Sequence, residues 1–244
     1  MTDTIVRHPP VPASRGLLSR MAGVVFSPRA TYADLVKRPR VLGVLLLVTV
    51  IACGAMFAFL STEVGTAALT DSQLSRMEAI GRPMSDADYE RFERMTPYFR
   101  FVVPGTMIFT IPVVTLIVAA LGLALFNAVL GGNASFQQVA AIAAHANVLV
   151  GLQLLFVLPL DYATGSMASS TSLAVFFPML DKAGFLAQLL GQIDLFRIWW
   201  TVSLAIGFGV LYKRRTAPIA WSFLAVYAVV ALGVASVLSA LSGA

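Results

Sequence analysis

Four polar side chains, Asn127, His145, Asn147 and Gln153, stand inside otherwise apolar stretches of this 244-residue chain. In an apolar setting each needs a hydrogen-bond partner, and such residues mark either interhelical bonds or a solute path. His145 is the one that can give and take a proton near neutral pH, so any acid–base chemistry would rest on it. The companions such chemistry needs are missing from the sequence. There are no paired carboxylates within the apolar stretches, no phosphate-binding glycine loop and no Ser/His/Asp constellation. His8 and His145 are the only histidines and Cys53 the only cysteine, which leaves no zinc ligand set and no intrachain disulfide. We expect no metal, no cofactor and no enzymatic activity. A lone histidine or asparagine in an apolar helix more often serves packing through a hydrogen bond.

The element that carries three of these four residues is the stretch Gly131–Gln153. A tight turn, Gly131-Gly132-Asn133, leads into an apolar helix that Asn133 or Ser135 can cap. On a helical wheel Ala140, Ala144, Asn147 and Gly151 form one small-residue stripe, suited to close helix contact. His145 falls on another side, with Gln138, Ala141 and Leu152.

Composition sets the class. The chain is 58% hydrophobic and only 12% charged, with a mean hydropathy of +0.84. Soluble domains carry about 25% charged residues, so this surface is too apolar for a water-soluble globule. The fold class is all-α: a polytopic integral membrane protein with five transmembrane helices, N-terminal interfacial helices and an extracytoplasmic helical insert. The net charge of +5 clusters beside apolar spans, which points to bilayer orientation and anionic headgroups rather than nucleic acid.

In chain order, residues 1–13 read as a disordered leader, rich in proline. Residues 14–40 read as an amphipathic segment on the bilayer surface, with Leu17, Leu18, Met21, Val24 and Val25 sharing one side. Within it Ser27 and Pro28 suit a helix start, and the helix ends before Pro39. The membrane domain covers 41–241, with spans at about 41–60, 103–130, 139–160, 193–212 and 219–241. A polar insert, 63–100, holds seven acids and five arginines. It reads as two short helices, the first from Asp71 to a stop at Gly81, the second capped by Ser85 and stopped near Pro97. Pro112 should kink the second span. Leu173–Leu180 contains Pro178 and is too short to cross, so it reads as interfacial or re-entrant. Asp194 and Arg197, three apart, read as a structural pair at the entry to the fourth span, and Trp199 and Trp200 as interface aromatics. Ala231, Ala235 and Ser239 form another small-residue stripe.

Orientation follows from the basic residues. Arg7, Arg15, Arg20, Arg29, Lys37, Arg38, Arg40 and Lys213–Arg215 fall on one side. Arg76, Arg82, Arg91, Arg94, Arg100 and Lys182 fall on the other, among most of the acids. This predicts a cytoplasmic N-terminus and an outside C-terminus.

Three segments, FSPRATYADLVKRP, GGNASFQQVAAIAAHANV and IDLFRIWWTVSLAIGFGVLYK, together resemble the Yip (Ypt/Rab-interacting) family of membrane proteins, in its prokaryotic branch. The resemblance covers roughly residues 17–241. The family often has an aromatic residue and a proline where this chain has His145 and Val148. The resemblance implies five spans, a cytoplasmic N-terminus and a bacterial inner-membrane location. It also implies a non-enzymatic role in organising membrane or binding a membrane or cytoplasmic protein, related in eukaryotic relatives to vesicle trafficking. The alternative is a small-solute or ion transporter or channel, acting as a homo-oligomer, with Asn127, His145, Asn147 and Gln153 lining a broken-helix site.

Overall fold

The computed structural model describes residues 16–79, 85–167, 170–181 and 183–242, and among them the regular elements are helices. The leader 1–13, His8, the stop at Gly81, Arg82 and Lys182 lie outside the described residues. The helices are α1 Leu17–Phe26, α2 Pro28–Lys37, α3 Leu42–Leu60, α4 Glu63–Ala79, α5 Asp86–Leu123, α6 Phe136–Ala146, α7 Val148–Thr164, α8 Phe185–Gln192, α9 Leu195–Leu211 and α10 Thr216–Ser242. Among the described residues four helical stretches are long and apolar enough to cross a membrane: Leu42–Leu60, Asp86–Val129, Phe136–Thr164 and Thr216–Leu241. The helix in the fourth expected span, α9, has 17 residues, about 26 Å at ~1.5 Å per residue, a few ångströms short of a ~30 Å hydrocarbon core.

The expected break near Pro97 is absent. One helix of 38 residues, α5, runs through Pro97, Pro104 and Pro112. At ~1.5 Å per residue it is about 57 Å long, so it crosses the core and still projects well beyond it. Each proline withholds one backbone donor without breaking the rod. The projecting start is held by a capping box: Ser85 Oγ accepts from the Asp88 amide, and Asp88 Oδ2 accepts from the Ser85 amide at 3.2 Å. The paired helix also differs from expectation: α4 begins at Glu63, eight residues before Asp71, so the insert is a long α4–α5 hairpin.

The short N-terminal helices do not merely rest on a surface. Arg20 and Val24 of α1 are buried, Val24 in a cluster with Val44, Leu45, Val48, Ala144, Val148 and Leu149. Leu18, expected on the same side as Val24, points away and is exposed. Ser27 makes no side-chain cap, although Pro28 does open α2. Tyr32 and Leu35 of α2 enter the main core with Val139, Ile142, Leu204 and Phe208. By contrast α5 and α10 keep most of their apolar surface outward, as lipid-facing helices do. On α10 the stripe Ala231, Ala235 and Ser239 is buried, the small residues permitting close approach.

Candidate functional site

The polar residues of the interior fall at three levels along α6 and α7. At the first, the end of the bundle rich in basic residues, Asn127 lies in a π-helical turn, Ala124–Val129, that closes α5. Its amide clamps the following turn: Nδ2 donates to the Ala134 carbonyl at 2.8 Å, and Oδ1 accepts from the Ala134 amide at 3.3 Å. Tyr212 Oη donates to the same Oδ1 at 2.8 Å. Gly131 has φ +69°, which favours glycine. A Cβ on Gly132 would sit 2.4 Å from the Tyr212 ring. Both glycines are thus required by backbone shape and by the aromatic ring.

Ser135 caps α6 in a reciprocal box with Gln138, whose Oε1 accepts from the Ser135 amide at 2.9 Å. The other end of Gln138 reaches α2, its Nε2 donating to the Val36 carbonyl at 3.0 Å. That carbonyl lies in the last turn of α2, where no intrahelical donor remains. α2 is further held to α9 by a buried bond of 2.7 Å between Tyr32 Oη and Ser203 Oγ. Burial pushes the Tyr32 phenol well above its ordinary value, so the hydroxyl stays protonated.

At the second level α6 and α7 meet at Asn147. Trp200 Nε1 donates to Asn147 Oδ1 at 3.0 Å, and Asn147 Nδ2 donates to Thr115 Oγ1 at 2.6 Å. Thr115 Oγ1 in turn donates to the Ile111 carbonyl at 2.6 Å, beside Pro112. Three helices are joined through one amide. Trp200 is half-buried and makes this bond, while Trp199 stays partly exposed against Phe196. His145, two residues earlier, takes no part. Its Nδ1 bonds the Ala141 carbonyl at 2.8 Å, and since a carbonyl only accepts, Nδ1 carries the proton. Nε2 is buried without a partner.

At the third level Gln153 Nε2 donates to both oxygens of Asp194, at 3.2 and 3.1 Å. Thr171 Oγ1 donates to the same carboxylate. Asp194 is the N-cap of α9, accepting from the Arg197 amide at 3.0 Å. The expected Asp194–Arg197 pair is therefore a carboxylate-to-backbone cap. Tyr227 of α10 binds here too: its Oη donates to the Gln192 carbonyl and accepts from the Asp194 amide at 3.2 Å. Ser172 and Asp194 form a single extended bridge. Gln153 lies eleven residues before the end of α7, about 16 Å at ~1.5 Å per residue. α9 therefore starts well below the end of α7, which is why it is short. A cavity of about 200 Å³ borders this cluster, lined among others by Asp161, Ser170, Thr171, Asp194 and Arg197. Ser170 donates to Asp161 at 2.9 Å.

Among the described residues Asn127, His145, Asn147 and Gln153 thus have no hydrogen-bond partner in common. The partners Thr115, Tyr32, Ser203, Thr171 and Tyr227 carried no sequence signal beyond being polar residues next to apolar ones. Among the described residues no group of three or more His, Cys, Asp or Glu side chains could hold a metal ion.

The three segments singled out in the sequence meet one another: α2 with α6 through Val36 and Gln138, α2 with α9 through Tyr32 and Ser203, and the α6–α7 joint with α9 through Asn147 and Trp200. A family model described as the Yip1 domain matches residues 22–238. Comparison with curated proteins and with solved structures gives no match.

Proposed function

The chain belongs to the Yip1 domain family of membrane proteins, and on that premise we propose that it is a non-enzymatic membrane organiser that presents its basic end to a partner protein. The observation that carries this reading is the use made of the interior polar groups. Asn127, Asn147 and Gln153 are all engaged in bonds that join one part of the bundle to another. Such bonds fix helix geometry rather than line a path. α2 is locked onto that frame by Tyr32 and Gln138, with Arg29, Lys37 and Arg38 exposed on it. Exposed Lys213, Arg214 and Arg215 lie between α9 and α10 at the same end.

The proposal places that end in the cytoplasm of a bacterium, at the inner membrane, because basic flanks face inward. It counts α9 as the fourth of five spans, extended by the polar-paired segment before it. A trafficking-like role, and self-association into homo-oligomers, belong to the same proposal. The transporter reading ranks second, because the bonded Asn147 stands between His145 and Gln153 along α6–α7.

The test is photo-crosslinking in native membranes, with the reactive side chain at Arg29 or Arg38 and a control at lipid-facing Val229. Specific adducts with one protein from the α2 positions alone support the reading. Adducts identical from all three sites, together with selective solute uptake by proteoliposomes of the purified protein, would overturn it.

A further inference from the structure

A second cavity, of about 210 Å³, lies at the basic end between α1, the start of α3 and α6. Arg20, Arg40, Gly43 and His145 line it, together with the start of α1 at Gly16 and Leu17. Arg20 is only 4% exposed, while Arg40 is exposed. An anion entering this space meets the exposed guanidinium of Arg40, which matches phosphate oxygens in charge and shape, with the buried cation of Arg20 behind it. It also meets a helix start, whose free N–H groups and dipole favour negative charge.

His145 adds a second and different demand. Its ring is fully buried, and Nε2 has no hydrogen-bond partner. With Nδ1–H committed to Ala141, Nε2 offers a lone pair and needs a donor. A bare phosphodiester brings none. A phosphate ester whose headgroup also bears a hydroxyl brings both an anionic oxygen for the arginines and an O–H for the imidazole.

The surface beside the opening decides between a lipid and a soluble phosphate. Leu42, Leu46 and Val50 of α3 are 81, 67 and 58% exposed. Spaced four apart, they form one stripe that starts next to Gly43, a track on which an acyl chain can lie. The geometry points to a binding site for one anionic phospholipid, its hydroxyl-bearing phosphate headgroup held by Arg20, Arg40 and His145 and a chain laid along α3. This site is independent of any protein partner.

The test uses the full chain purified in detergent and native mass spectrometry after exchange with phosphatidylglycerol, with phosphatidylcholine, or with inorganic phosphate or glycerol phosphate alone. The wild type is expected to retain one phosphatidylglycerol and to exchange phosphatidylcholine freely. Arg20→Gln could unfold the chain, so the decisive variants are Arg40→Gln, at an exposed position, and Gly43→Leu. A Cβ at Gly43 meets only Leu17, at 3.8 Å, so the larger side chain fills the opening without a backbone clash. Each should cut phosphatidylglycerol retention about tenfold or more, with helix content and monodispersity unchanged. Equal retention of the two lipids, or undiminished retention in both variants, overturns the site. Retention of inorganic phosphate or glycerol phosphate as firm as that of phosphatidylglycerol overturns its assignment to a lipid.

Discussion

The indole Nε1 of Trp200 donates to Oδ1 of Asn147 at 3.0 Å, across the contact between α9 and the joint of α6 with α7. Because the same amide donates to Thr115 of α5, one side chain ties three helices. An amide is the side chain suited to this, since it accepts and donates from opposite corners.

Asn147→Ala should therefore leave Trp200 Nε1 without its acceptor and deprive Thr115 Oγ1, which keeps its bond to Ile111, of its donor. A loss of about 1–3 kcal/mol is expected, at the upper end of interhelical bonds in membranes. Thermal unfolding in detergent reads it. Trp200→Phe in the Asn147→Ala background should add much less than it does alone, because both changes break the same bond.

Gly132→Ala should destabilise the basic end, since its Cβ would lie 2.4 Å from the Tyr212 ring and 2.8 Å from the Phe126 carbonyl oxygen. Gly105→Ala is the matched control: nothing lies within 4 Å of its Cβ, and within α5 it should be neutral or stabilising by up to about 1 kcal/mol. Equal melting temperatures for the two variants would contradict the close approach of Tyr212.

Tyr32→Phe removes the bond that fastens α2 to Ser203 while keeping the ring in the core. A cost of about 1 kcal/mol, felt mainly as faster amide exchange in α2, is expected. Ser203→Ala added to it should cost little more. Additive losses would mean that Tyr32 and Ser203 act separately.

The start of α5 should respond to acid. Hydrogen bonds from Ser85, first its side chain and then its backbone, hold the Asp88 carboxyl below its ordinary 3.8. A carboxylate lowered in the folded chain stabilises it above the unfolded value, and that contribution fades as pH falls through the folded value. Protection of the amides in the first turn of α5, relative to their intrinsic exchange at each pH, should therefore fall below about pH 4. Asp88→Asn should abolish that pH response, and its persistence in the variant would exclude the capping box as the cause.

Much was legible in the amino-acid sequence because it follows from local pattern. The apolar stretches identify a membrane protein, since hydropathy is a property of contiguous residues. The Gly131–Gly132 turn, the Ser135 cap, the small-residue seam through Ala140, Ala144 and Asn147, and the stripe on α10 were all readable from residue type and helical spacing. Proline was less informative. Pro97 suggested a stop, yet α5 continues, because a helix end depends on whether neighbours or solvent can take the freed carbonyl.

Only the tertiary structure decided the partners. Arg20 and Val24 looked like parts of a surface helix, and became interior residues because α3, α6 and α7 come together around α1. Asp194 looked like the partner of Arg197 by spacing; folding brought Gln153, Thr171 and Tyr227 to it from far along the chain. Helical periodicity states which side of a helix a residue occupies, but not which other helix lies there. A hydrogen bond between residues 53 positions apart, such as Trp200 to Asn147, depends on the packing of whole helices, and that is set by the sum of many contacts rather than by either residue.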